Sequence, residues 1–160
     1  MSTALFPAAV MLGSMAVWLS FAVANNIRDP GTNIHLLGVM FRMELLDGDE
    51  RLAHGLRQRA IFDPEFPRKV LRVVVAVQLI TVFGLWLAAG LLGLACLSVV
   101  LPANAKSVAE ISVALFMILW TGFLCGGMWF GYWMKMWHVQ QVHFTLFSIG
   151  AVAFLLLKVS

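Results

Sequence analysis

Four histidines, His35, His54, His138 and His143, are the side chains of this sequence best suited to holding a ligand. In an apolar chain an imidazole is a natural axial ligand for b-type haem, which takes one from one helix and commonly a second from another. His138 and His143 lie five residues apart, roughly 140° around an ideal helix, and cannot share one iron. A pair would have to join His35 or His54 to one of them, and no spacing demands it. The histidines are therefore expected to be interfacial or internally satisfied, with haem b or a quinone as the alternative cofactor.

Two further groups stand out. Asn25, Asn26, Asp29 and Asn33 form the densest polar cluster, which at the exit of an apolar segment is expected to make turns and caps. Trp129, Trp133 and Trp137 recur every four residues with Phe130, Tyr132 and Met136 between them, the composition of a membrane aromatic belt or of a partner or lipid interface. There is no HExxH, GxSxG, Walker loop or CxxC, so no catalytic residue and no metal site is expected. Cys96 and Cys125 sit inside apolar runs as small packing residues.

The elements that position these groups follow from composition. With 61% hydrophobic and 12% charged residues the chain is far from the soluble average, and a mean hydropathy of +0.90 says the same. Four apolar segments, about 4–24, 71–100, 108–130 and 139–157, are each long enough to cross a bilayer. The expected fold is all-α: one integral membrane domain over residues 1–160, a membrane-spanning four-helix bundle with a long, partly helical first connection (25–70) lying at the interface. A soluble catalytic domain has no room. The first segment followed by Ala22-Val23-Ala24 has the outline of a signal peptide but lacks a basic n-region, and is read as a retained helix.

Within the connection, Thr32 is expected to cap a helix through Ile34, Leu37, Phe41 and Leu45, with His35, Arg42 and Asp49 on one polar stripe and Glu44 opposite. A second short polar helix is expected over 49–59. Gly84, Gly90, Gly93, Gly122, Gly126 and Gly127 are read as close-packing positions between spans. Gln78 is the one strongly polar residue deep in the second span, so no mid-membrane relay suggests transport.

Four crossings place the long connection, the turn near residues 132–137 and all four histidines on one face. That face carries nine Lys/Arg against Lys106 and Lys158 on the other, which puts the connection in the cytoplasm and the chain in a bacterial inner membrane. Seven acidic residues in the same connection narrow the margin. The net charge of +3 belongs to residues flanking apolar spans, so lipid headgroups rather than nucleic acid are the expected partners.

Three stretches resemble the DUF2165 family of small integral membrane proteins: Asn25-Asn26-Ile27-Arg28-Asp29 with Asn33, Gln58-Arg59-Ala60-Ile61, and Gly126-Gly127-Met128-Trp129-Phe130 through Trp133 to Gln141. The resemblance covers most of the chain and implies four helices with a long first connection, without an activity or cofactor. It marks Asn25, Asn26, Asp29, Asn33, Arg59 and Gln141 as the family's polar positions. The sequence departs from that pattern at Met128, where a glutamate commonly follows the paired glycines, and in lacking an arginine after Gln141. The leading expectation is thus a non-catalytic accessory or structural subunit of a larger membrane complex, of respiratory or photosynthetic type. The alternative is a small redox or lipid-handling protein that binds haem b or quinone near the histidines.

Overall fold

A computed structural model describes residues 5–49, 51–52 and 54–160. Among these there is no strand, and five helices form in the order α1 (Phe6–Arg28), α2 (Pro30–Phe41), α3 (Phe66–Cys96), α4 (Pro102–Trp129) and α5 (Trp137–Val159). Helices α1, α3, α4 and α5 are long and apolar enough to span a membrane. Proline stands in the first turn of α1, α2, α3 and α4, where its fixed φ suits the helix and its missing N–H leaves nothing unsatisfied.

That rule moves the boundaries from those the apolar runs suggested. The first span continues past residue 24 to Arg28, the second runs Phe66–Cys96 instead of 71–100, the third starts at Pro102 instead of 108, and the fourth covers Trp137–Val159. Backbone hydrogen bonding continues into polar flanks that an apolar window excludes. Pro102 and Asn104 open α4, after a left-handed Ser98 (φ 62°) that follows the end of α3. Residue 4 lies outside the described residues.

The first connection also differs. Asp29, not Thr32, caps α2: its carboxylate accepts from the Thr32 amide at 3.3 Å and the Thr32 hydroxyl at 2.6 Å. The helix stops at Phe41 because Met43 takes a left-handed conformation (φ 55°), so no stripe continues to Asp49 and Leu45 falls in a 3-10 turn, Glu44–Leu46. Arg42 pairs with Glu44 at 2.5 Å, whereas Asp49 pairs with Arg51. Of the described residues in 49–59, Arg57–Arg59 alone forms a helical turn, of 3-10 type; residues 50 and 53 lie outside the description. Too few apolar side chains recur there at helical spacing to bury a face.

The connection nevertheless has a core. Phe41, Met43, Leu46 and Phe130 are buried together, with Phe41 edge-on to Phe66 at 5.0 Å and to Phe130 at 4.9 Å. The Ile61 amide donates to the Phe41 carbonyl at 2.9 Å, and Arg57 reaches Asp47 and the Leu46 carbonyl. The main core lies among the spans, where Leu12, Leu19, Leu85, Leu92, Val113, Phe116 and Leu157 are almost fully buried. Helix α3 packs on α1 and α4, and α4 on α5, while α1 meets α5 only thinly.

Outward faces are as apolar as the core: Phe21, Phe83, Ile118 and Leu155 are all more than 60% exposed. Such a surface on four helices requires hydrocarbon as its solvent. At the far end Lys158 bonds Glu110 at 2.7 Å and the Lys106 ammonium reaches the Ser160 carbonyl, tying α5 to α4.

Candidate functional site

Asn25 and Asn26 do not form a turn; both lie in the last two turns of α1. Asn26 donates through Nδ2 to Gln78 Oε1 on α3 at 2.8 Å and accepts from Asn33 Nδ2 on α2 at 2.7 Å. Three helices are therefore joined by one chain of side-chain amides, and Gln78, only 3% exposed, is satisfied where an unpaired amide would be costly. Asn25 is exposed and contributes its carbonyl to the Asp29 amide. The hydrogen bonds from Thr32, first from its hydroxyl, hold the Asp29 carboxyl below its usual range.

Asn33 stands at the rim of a cavity of about 440 Å³ between α2, α3, α4 and α5. Of the residues around it, Asn33, Tyr132 and His143 alone carry polar side chains. Gly122 and Gly126, one turn apart on α4, form part of its wall, and a Cβ at either would meet nothing within 4 Å. They are not the close-packing positions expected, and neither are Gly90 and Gly93, which also have open surroundings. Gly84 does lie against Ser112 on α4, where a Cβ would come within 3.0 Å of the hydroxyl.

Gly127 has a different task. A Cβ there would fall 2.3 to 2.5 Å from three ring atoms of Tyr132, so the absence of a side chain lets that ring lie flat on α4. Gly131 takes φ +67°, a left-handed turn that folds Tyr132 back beneath the helix end. The paired glycines thus divide their work: Gly126 opens the cavity and Gly127 seats the tyrosine.

Tyr132 is 4% exposed, and burial raises its phenol above the ordinary value of 10, keeping it a neutral donor. Its ring lies 6.1 Å from that of His143, which in turn sits 4.8 Å from Phe123 and 5.6 Å from Trp120. Three polar atoms of this aromatic cluster, Tyr132 OH, His143 Nδ1 and Trp120 Nε1, are buried without a hydrogen-bond partner among the described residues. Two of the three residues, Tyr132 and His143, border the cavity.

The other histidines are elsewhere. His138 borders a separate cavity of about 690 Å³ between α1, α4 and α5, while His35 and His54 are exposed on the connection. His143 and His138 border different cavities, as their angular separation on α5 requires. Neither of these two cavities is bordered by two imidazoles. No group of three metal-ligating side chains occurs among the described residues.

The aromatic ladder is also rearranged. Helix α4 ends at Trp129, so Trp129, Trp133 and Trp137 do not share a helical face, although all three are exposed. Phe130, expected beside them at the interface, is 8% exposed and belongs to the core under the connection. Arg59 lies with its guanidinium 4.3 Å over the Trp129 ring and donates to the Trp129 carbonyl at 3.3 Å, which fastens the connection to the end of α4. Gln141 is exposed on α5, beside the second cavity and not in the amide chain.

Sequence reasoning missed Tyr132 and Gln78 as members of this region. The spacing Gly-Gly followed by Tyr five residues after Gly127 was the available signal for the first; for the second it was a lone amide deep in an apolar span, which names no partner. A search of curated proteins found no match, and a search of solved structures found none either. The family model described as a predicted small integral membrane protein, DUF2165, matches residues 4–160, nearly the whole chain, and with four apolar spans the protein belongs to that family.

Proposed function

We propose that this protein binds a lipid-soluble molecule with a hydrogen-bonding head, of the quinone class, in the cavity bounded by α2 to α5. One observation carries the reading: an apolar cavity of about 440 Å³ is bordered by two residues, Tyr132 and His143, whose buried polar atoms lack partners. Ligand clefts are typically apolar with a few converging polar groups, and volumes of roughly 300–1,000 Å³ are usual. An unpaired buried donor or acceptor costs about 1–3 kcal/mol, which a ligand oxygen would offset once either ring turns its polar atom toward the cavity. The walls suit a ring and an isoprenoid tail, and the single histidine favours a quinone over haem b.

The experiment is organic extraction of the protein purified from its native membrane, with the extract resolved by mass spectrometry. One quinone per chain is expected, and Gly122→Phe, which fills the wall without an existing neighbour to displace, should abolish it while preserving the helical spectrum. Absence of any quinone from the wild-type protein would overturn the proposal.

A second reading, an accessory subunit of a larger membrane complex, draws on Trp129, Trp133 and Trp137, all exposed around the connection from α4 to α5. Stoichiometric co-migration with larger membrane proteins supports it; a protein monodisperse on its own in mild detergent counts against it. Under either reading we place the chain in a bacterial inner membrane as a four-helix bundle, its first connection at the cytoplasmic interface. A periplasm-dependent reporter fused after Ser160 should be active if that orientation holds.

A further inference from the structure

Helices α3 and α4 touch closely at one level and part at the next. A Cβ at Gly84 would come within 3.0 Å of the Ser112 hydroxyl, so the two helices are in contact there. Two turns nearer the connection on each antiparallel helix, about 10 Å along the axis, stand Val77 and Leu119, and two turns beyond these stand Val70 and Gly126. All four border the cavity between α2, α3, α4 and α5, and a Cβ at Gly126 would meet nothing within 4 Å. The cavity is therefore a wedge between α3 and α4, narrow toward the middle of the spans and wide toward the connection.

The two ends of the wedge differ in chemistry. Asn33 of α2 and Tyr132 of the turn after α4 stand at the wide end, and His143 lies about 9 Å along α5 from Trp137. The α3 and α4 residues at the narrow end, Val74, Val77, Ile118 and Leu119, are all apolar. One side of the wedge is open: Val73 and Ile118 border it and are each 64% exposed on spanning helices. The wide end is bounded instead by Leu37, Met40 and Phe41 of α2, and Phe41 is held edge-on between Phe66 and Phe130 at 5.0 and 4.9 Å. A path from hydrocarbon is thus already present, whereas a path from the water side has to part α2 from that aromatic cluster.

We infer that the bound quinone exchanges directly with the bilayer through a lateral opening between α3 and α4, its head toward Tyr132 and its isoprenoid tail leaving past Val73 and Ile118. This rests on the quinone reading above and adds the route and the orientation of binding. A tail in the apolar part of the wedge passes from one hydrocarbon environment to another, so no desolvation opposes it, and the same holds while it slides out between the helices. The ring alone leaves lipid for the polar end, where hydrogen-bonding groups converge.

The test uses the full chain in phosphatidylcholine vesicles and a prenylated benzoquinone whose first isoprenoid unit carries a diazirine. Illumination should place the label in residues 70–77 of α3 and 118–122 of α4, and an excess of unlabelled prenylated quinone should remove it. Ile118→Trp, a change on an exposed position at the opening, should slow exchange of the bound probe about tenfold while leaving the helical spectrum and the amount bound at equilibrium unchanged. Competed label confined to α1, α2 or residues 42–65, or exchange in Ile118→Trp as fast as in the wild type, would overturn the inference. Organic extracts of the wild type separate the two failures: if they hold quinone, the lateral route alone is wrong, and if they hold none, the quinone reading falls and this inference with it.

Discussion

Removal of the Asn26 side chain tests the amide chain at its hub. Asn26→Ala deletes two hydrogen bonds, at 2.8 Å to Gln78 and 2.7 Å from Asn33, and strands a Gln78 amide that is 3% exposed. Each bond is worth about 0.5–1.5 kcal/mol net, so their loss should destabilise the protein by about 1–3 kcal/mol. Interhelical bonds in membranes average nearer 0.6 kcal/mol, which favours the lower half of that range. Replacement of both Asn26 and Gln78 by Leu removes donor and acceptor together and should recover much of the loss, giving a positive coupling between the two sites. The assay is reversible unfolding in mixed micelles with rising dodecyl sulfate, followed by circular dichroism, alongside amide exchange in α2. Because Asn33 hangs α2 on this chain, α2 amides should exchange faster in Asn26→Ala while those of α4 do not. Stability within about 0.3 kcal/mol of the wild type, with unaltered exchange in α2, would refute the assignment.

Three other outcomes follow from local geometry. Gly127→Ala places a methyl within 2.5 Å of the Tyr132 ring and should cost about 1–3 kcal/mol, whereas Gly122→Ala, with open space around it, should be neutral or stabilising; thermal denaturation of the pair reads the difference. The Asp29 carboxyl is held below its ordinary 3.8 by Thr32, so its contribution to α2 is full above that value and is lost as the pH falls through the lower folded-state value; a drop in the protection factors of α2 amides on acidification, absent in Asp29→Asn, checks the sign. Arg59→Gln removes the cation over Trp129 and the bond to its carbonyl, and should loosen the connection by about 0.5–1 kcal/mol with a measurable change in tryptophan emission.

Much of the architecture was legible because its cause is one-dimensional. Four runs of apolar residues, each about a bilayer thick, dictate four spans whatever the packing. Prolines 7, 30, 67 and 102 even mark the helix starts, a signal that outperforms the apolar windows because a helix begins where its backbone can, not where its hydropathy rises. The angular argument separating His138 from His143 was equally local, and the two do border different cavities.

Residue type and spacing thus determined the membrane solvent and the number of helices long enough to cross it. Tertiary structure alone decided which of the polar and aromatic groups meet. Gln78 and Asn26 are 52 positions apart, and nothing in either helix encodes the other. The role of a glycine depends on what faces it: Gly126 looks into space and Gly127 onto a tyrosine ring, though they are adjacent in the chain. Phe130 goes inward and Trp129 outward because the left-handed Gly131 ends the helical periodicity that would have aligned the aromatic ladder. Cavities are spaces between helices, formed by side chains brought together across the fold, and so they have no sequence signature of their own.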